Sequence, residues 1–192
     1  MLIRHVDGTI AAARLCQGLL TAELSAELVG LSDNTWVDHP NHRDYQGGWN
    51  VLPLRTLAAH TQSHPILQAF ALEAPDKWQN LADLQRSPAI LSLLGRLECP
   101  IKSARLMRLA AGAQIKPHRD RGLAMEYGEA RLHLPLRTDP AVVFIVGGQP
   151  VPMREGELWY MNADLEHSVT NGSCEDRVHL VVDCEVNDWL RR

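Results

Sequence analysis

His118-Arg119-Asp120 sets an imidazole and a carboxylate two residues apart. On a strand, or on its extended continuation, side chains alternate sides, so both groups can face one point. A second imidazole, His167, follows 49 residues after His118. Two neutral imidazoles and one carboxylate on one face of a metal are the facial triad of non-haem Fe(II) chemistry, and they leave positions open for a bidentate cosubstrate and O₂. A 2-oxo acid chelated there would need a buried cation for its far carboxylate. Arg177, ten residues beyond His167, suits that role, because a guanidinium fork pairs with a carboxylate through two bonds.

The His-x-Asp triplet is common enough to mean little by itself. It occurs three times, at His5-Val6-Asp7, His42-Arg43-Asp44 and His118-Arg119-Asp120. Only the third is followed by strand-like runs, a later His and an Arg beyond that His. His60 and His64 also share one helical face, but Pro65 follows at once and no third ligand is close, so no metal is expected there.

The elements that must position these groups follow Cys99, where the hydrophobic period changes to two. Ile101 to Leu109 reads as a strand, Ala111-Gly112-Ala113 as a turn, and Ile115 to Asp120 as extended chain. Arg131-Leu132-His133-Leu134-Pro135-Leu136 alternates strictly, with Arg131 and His133 on one face and three leucines on the other. Both polar groups can then face one cavity, with a salt bridge at the barrel rim as the other expectation for Arg131. Ala141 to Val146 is a buried-strand run, Gly147-Gly148 a hairpin turn, and Val178 to Val182 the last strong strand. Strands at this spacing, with turn signals between them, predict a mainly β jelly roll with helices packed outside it.

The first half is expected to supply those helices. Leu15, Leu19, Leu20, Leu24 and Leu28 recur at helical spacing, predicting an amphipathic helix over Ile10 to Val29 that stops at Gly30. Ser87-Pro88 predicts a helix start, with the helix running to about Leu97. Between them, Ala58 to Trp78 reads as irregular. The stretch from Trp36 to Asn50 is dense in polar and aromatic groups and is expected either to line the mouth of a site or to be a surface excursion pinned by Trp36 and Trp49. It leads into a short strand at Val51-Leu52-Pro53-Leu54-Arg55. The expected layout is one domain, with helices and a substrate-facing loop over 1–98 and the β-barrel core over 99–186.

At 192 residues the chain is long enough for a sizeable core, and 45% hydrophobic with 22% charged residues is ordinary for a globular protein. A net charge of −4 argues against a general nucleic-acid or membrane-surface protein. Cys16, Cys99, Cys174 and Cys184 have neither zinc-knuckle nor C-x-x-C spacing, so reduced, mostly buried thiols and a cytoplasmic location are expected. No signal peptide or membrane span is read; the apolar early run contains Arg14, Glu23 and Glu27.

Residues 101–186 resemble the aspartyl/asparaginyl β-hydroxylase family of Fe(II)/2-oxoglutarate dioxygenases. The matching pieces are Pro117 to Asp120, Arg131 to Leu136, Gly156-Glu157-Leu158-Trp159-Tyr160-Met161-Asn162, His167 to Asn171, and Arg177 to Asp183. Trp36 to Leu54 is similar to the segment that precedes the barrel in bacterial relatives. The resemblance implies a cupin-like double-stranded β-helix with iron on His118, Asp120 and His167. It implies 2-oxoglutarate held by Arg177, with Arg131 and His133 assisting. It also implies hydroxylation of an unactivated C–H by O₂, with 2-oxoglutarate leaving as succinate and CO₂. The animal aspartyl hydroxylases that typify the family lack the carboxylate ligand, whereas this chain has Asp120. That feature is similar to the bacterial amino-acid hydroxylases of the family, including proline hydroxylases.

Substrate contacts are expected from His42, Arg43 and Trp49 in the early loop and from Arg121 after the triad. The substrate is an Asp- or Asn-like side chain in a peptide, or a free or carrier-bound amino acid; oligomeric state is not read. Two rivals remain. One is a cupin-like metal-dependent isomerase or lyase working without O₂; the other is a non-catalytic ligand-binding module that has kept the fold.

Overall fold

A strand that alternates apolar and polar residues must bury one face against another layer, and here the strands pair into two facing antiparallel sheets. A computed structural model of the chain describes residues 1–31, 34, 36–69 and 77–191. Part of the segment expected to be irregular, 70–76, and residues 32, 33 and 35 just before the early loop lie outside the described residues.

The first seven strands are β1 (Leu2–Arg4), β2 (Ile10–Cys16), β3 (Val37–Asp38), β4 (Tyr45–Gln46), β5 (Trp49–Leu57), β6 (Trp78–Asn80) and β7 (Ile101–Leu109). The remainder are β8 (Gln114–His118), β9 (Glu129–Arg137), β10 (Val142–Val146), β11 (Gln149–Pro150), β12 (Leu158–Met161), β13 (His167–Asn171) and β14 (Arg177–Glu185). The helices are α1 (Ala22–Leu31), α2 (Pro65–Ala69), α3 (Ala82–Gln85), α4 (Pro88–Gly95) and α5 (Asp188–Arg191). The larger sheet has the order β1-β2-β12-β9-β14-β7-β5-β3, with β6 also pairing β5. The smaller has the order β11-β10-β13-β8-β4. Together they form a double-stranded β-helix of jelly-roll type.

The alternation read in the sequence sorts the large sheet's side chains into two cores. Leu132, Leu134 and Leu136 of β9, with Leu180 and Val182 of β14, join Leu24, Leu28 and Leu31 of α1 and Ile90, Leu93 and Leu94 of α4 in an outer core under the helices. The inner core, between the sheets, takes Met107 and Leu109 from β7, Trp159 and Met161 from β12, Val181 from β14, and Ile115, Phe144 and Val169 from the smaller sheet. Other inward positions of the large sheet are polar: Ser103 and Arg105 on β7, Arg131 and His133 on β9, and Arg177, His179 and Asp183 on β14. That concentration of charge on a buried face is the fold's main departure from an apolar sandwich.

The N-terminal reading needs three corrections, and one is that Ala58 to Trp78, expected to be irregular, holds the helix α2 at Pro65–Ala69. The helix expected over Ile10 to Val29 is instead strand β2, Ile10–Cys16, followed by the shorter helix α1. β2 pairs β1 on one side and β12 on the other, and those ladders override the helical preference of Ala11, Ala12 and Ala13. Residues 1–98 therefore do more than cover the barrel, since β2 and β5 are strands of the large sheet itself. The helix expected from Ser87-Pro88 is present as α4. Its cap comes from elsewhere: the Glu27 carboxylate on α1 accepts from the N–H groups of Ala89 at 2.6 Å and Ile90 at 2.9 Å. All four cysteines are free; Cys99 and Cys184 are buried, Cys16 is half-buried and Cys174 exposed. No helix among the described residues is long and apolar enough to cross a membrane.

Candidate metal centre and its cavity

β8 and β13 are neighbours in the smaller sheet, and their register sets His118 opposite His167. The two ring centroids lie 4.2 Å apart. Nδ1 of His118 meets the Lys116 carbonyl at 2.8 Å, and Nδ1 of His167 meets the Leu165 carbonyl at 3.0 Å. A carbonyl only accepts, so each ring donates from Nδ1, which in the neutral tautomer leaves Nε2 as the lone-pair nitrogen that a metal binds. Asp120 lies just beyond β8, its N–H donating to the Ala163 carbonyl at 2.9 Å. One ligand atom from each of His118, Asp120 and His167 lies within 4.8 Å of the others.

The electrostatics suit a cation. Burial, with His118 beside it, pulls the His167 imidazole down to about 4, so the ring is neutral near pH 7. Burial by itself would raise the Asp120 carboxyl; the Arg131 guanidinium and the two imidazoles more than offset it and hold the group below its ordinary value.

Asp120 is the outer member of a charged chain that crosses the space between the sheets. Arg131 Nη1 donates to Asp120 Oδ2. The other side of the same guanidinium grips Asp183, Nε to Oδ1 at 2.7 Å and Nη2 to Oδ2 at 3.1 Å. Asp183 also accepts from Arg105 Nη1 at 2.9 Å and from the Ser103 hydroxyl at 3.3 Å. Burial would raise the Asp183 carboxyl, but the two arginines hold it far below the usual carboxylate range. Arg131, expected beside a cosubstrate, thus has its fork taken up by two carboxylates.

Arg177 sits differently. It is buried, it lines the same 740 Å³ cavity as the triad, and no carboxylate pairs with it among the described residues. Its Nη2 donates to His179 Nδ1 at 2.7 Å, its Nε has no hydrogen-bond partner, and its guanidinium carbon lies 5.6 Å from the Phe144 ring centroid. Burial pushes the guanidinium down to about 9, as expected for a desolvated cation with no anion beside it. His133 shares the cavity wall; its Nδ1 lies 3.3 Å from His179 Nδ1, and its Nε2 is buried without a partner. Burial, with Arg177 next, keeps the His133 and His179 rings neutral.

The early loop contributes in part. Trp49 lines the cavity, with its Nε1 buried and unpartnered. Arg121 lines it from the exposed turn after the triad. His42 and Arg43 do not: both are exposed and outside the lining, and His42 Nδ1 is engaged by the Tyr45 hydroxyl at 2.6 Å. His39, not singled out in the sequence, is buried in the wall and stacked on Trp49 at 3.5 Å between centroids. Arg105 and Asp183 were also missed. Period two places Asp183 on the same face as Arg177, and that was the available signal.

The family model for aspartyl/asparaginyl beta-hydroxylases matches residues 20–186, most of the chain. The chain belongs to the aspartyl/asparaginyl beta-hydroxylase family. Among relatives of this family member, L-proline cis-4-hydroxylase of Rhizobium meliloti (strain 1021) is 33% identical over 85 residues, which is 44% of this chain and 30% of that protein. The chain thus spans under a third of the length of that curated relative. Among solved structures, an oxidoreductase of the 2OG-Fe(II) oxygenase family from Burkholderia pseudomallei superposes with a TM-score of 0.59 at 18% identity, over 92% of this chain and 86% of that one. HygX from Streptomyces hygroscopicus, solved with nickel and 2-oxoglutarate bound, gives 0.53 at 11% identity, over 93% and 84% of the two chains. These likenesses are of fold.

The cofactors of this beta-hydroxylase family member are Fe(II) and 2-oxoglutarate, and the residues present fit both. Two imidazoles with free Nε2 and one carboxylate suit a divalent first-row ion. A buried guanidinium with no carboxylate partner among the described residues, whose Nε is unpartnered, in a cavity that His133 also lines, suits a bound dicarboxylate.

Proposed function

We propose that this protein is a 2-oxoglutarate-dependent hydroxylase that acts on an amino-acid C–H, with iron held by His118, Asp120 and His167. Arg177 takes the far carboxylate of 2-oxoglutarate, and His133 stands beside it. The observation that carries this reading is Arg177: a cation buried without a counter-charge among the described residues, in the same cavity as a three-ligand metal group. Leaving a charge buried and unpaired is costly, so the position is best explained by an anion that arrives with function.

Held by His118, Asp120 and His167, iron with 2-oxoglutarate and O₂ would supply the oxidising power, with 2-oxoglutarate converted to succinate and CO₂ and one oxygen atom of O₂ ending in each of succinate and the hydroxylated product. The protein's share is placement. The Nδ1–H bonds to Lys116 and Leu165 hold both imidazoles in the ligating tautomer. Arg177 orients the cosubstrate, and the apolar inner core around Phe144, Met161 and Val169 keeps bulk water from its side of the cavity. Substrate lies toward the mouth, against Trp49 and Arg121, with His39 holding the Trp49 ring in place. The match to a proline hydroxylase supports an amino-acid substrate, free or carried, over an Asp or Asn side chain in a peptide.

A succinate-release screen of free amino acids and short Asp- and Asn-containing peptides tests this. At least one free amino acid should stimulate turnover of 2-oxoglutarate above the substrate-free rate, with hydroxylated product in equal amount. Stimulation by peptides alone would move the substrate class, and none by either would contradict the hydroxylase reading.

A further inference from the structure

We infer that Asp183, acting through Arg131, is a positioning residue that presents Asp120 to the metal as a one-oxygen ligand. This rests on the metal-site reading above and adds to it.

Asp120 sits outside any strand, half-buried just before the turn at Arg121 and Gly122, and its own backbone bond to Ala163 does not fix its side chain. What fixes it is Arg131, reaching from the large sheet across to the turn that follows β8. An arginine with only one partner would swing about that bond. Here the opposite edge of the guanidinium is locked by the two-bond grip of Asp183, so its plane and direction are set before Asp120 is met. Asp183 is itself held from behind by Arg105, whose Nη1 also donates to the Ser103 hydroxyl at 3.1 Å. Strand register makes this possible, since Asp183 of β14 stands opposite Ser103 on β7 and opposite Arg131 on β9.

Two arginines and two aspartates balance in charge. Ion pairs taken out of water in this way add little stability over a well-packed apolar replacement, so stability does not explain why these four charges are gathered here. Ligand placement does. With Oδ2 occupied by Arg131, Oδ1 is the oxygen Asp120 has left for an ion. A carboxylate confined to one oxygen takes a single coordination position and keeps another open for cosubstrate or O₂.

The test measures Co(II) alone, binding to the full chain, by calorimetry on wild type, Asp120→Ala, Asp183→Asn and the double variant. Thermal melts confirm that each is folded. Asp183→Asn should weaken Co(II) about tenfold or more, as loss of outer partners of metal ligands generally does. The same substitution should do nothing further in the Asp120→Ala background, because the effect runs through Asp120. In the Co(II)-loaded protein, 2-oxoglutarate affinity should change less than Co(II) affinity, since Arg177 is not part of the chain of contacts. If Asp183→Asn does not fold, Ser103→Ala removes one bond to Asp183 and should give a smaller loss of Co(II) affinity, again absent without Asp120. Wild-type Co(II) affinity in folded Asp183→Asn, or in Ser103→Ala where the former does not fold, overturns the inference. So does an equal loss with and without Asp120. Undiminished Co(II) binding by Asp120→Ala would instead overturn the metal-site reading.

Discussion

Arg177 is the side chain whose surroundings make least sense without a partner from outside the chain. A guanidinium buried against Phe144 and His179, with no carboxylate beside it among the described residues, destabilises the unliganded fold. Arg177→Met keeps much of the volume and removes the charge. The metal-free variant should be as stable as wild type or more stable by about 1 kcal/mol, read from urea unfolding. Its 2-oxoglutarate binding should fall by about 2–5 kcal/mol, the usual cost of truncating one side of a buried charge pair, while Co(II) affinity stays near wild type. Equal losses of both ligands would make Arg177 structural. The contrast with Arg131 is instructive. Both stand on inward positions of the large sheet, yet Arg131 already has two carboxylates and Arg177 has none among the described residues. Sequence alternation finds the face of each residue and says nothing of its neighbours across the sheet.

At the scale of elements, the C-terminal half was legible because β9 alternates strictly and short apolar runs with turn signals between them mark the other strands. Leu132, Leu134 and Leu136 face the helices, and Arg131 and His133 face the cavity, as the pattern of β9 requires. The turn of α1 and β2 was not legible. Ala-rich Ile10–Cys16 runs straight into a leucine repeat of helical spacing, and only the partners β1 and β12, distant or short, make it a strand. The quartet of Asp120, Arg131, Asp183 and Arg105 was hidden for a related reason: its members lie on three strands and a turn, and only register joins them. The start of α4 shows the same limit. Ser87 signals the helix, but its hydroxyl donates to the Asp83 carbonyl and the cap is supplied by Glu27, some sixty residues earlier in the chain. Glu27→Ala should therefore cost about 0.5–2 kcal/mol in urea unfolding, with 2-oxoglutarate affinity untouched. A neutral result would mean that water caps α4 equally well.

Over the whole molecule, burial of imidazoles ties stability to pH. Burial lowers His39 to about 3 and His167 to about 4, and keeps His133 and His179 neutral as well. In the unfolded chain each would take up a proton as pH falls through about 6.5. The unfolded state then binds more protons, so stability is complete above that pH and declines as pH drops toward 4 and then 3. Asp183, held far below the ordinary carboxylate range, stays ionised across this window and is not the cause. The urea midpoint of metal-free protein should be clearly lower at pH 5 than at pH 7.5; a flat profile would mean that the buried rings are solvated. The same two-sheet architecture brings the site together, for His118 and His167 come from the smaller sheet and Arg177 from the larger. Anaerobic titration of the Fe(II)-loaded protein with 2-oxoglutarate tests that convergence most directly, because a visible charge-transfer absorption arises only when iron and cosubstrate share one centre. Wild type should develop the band and saturate at one equivalent, His167→Ala should not develop it, and Arg177→Met should need far more 2-oxoglutarate. No band in wild type, or an undiminished band in His167→Ala, would contradict the account.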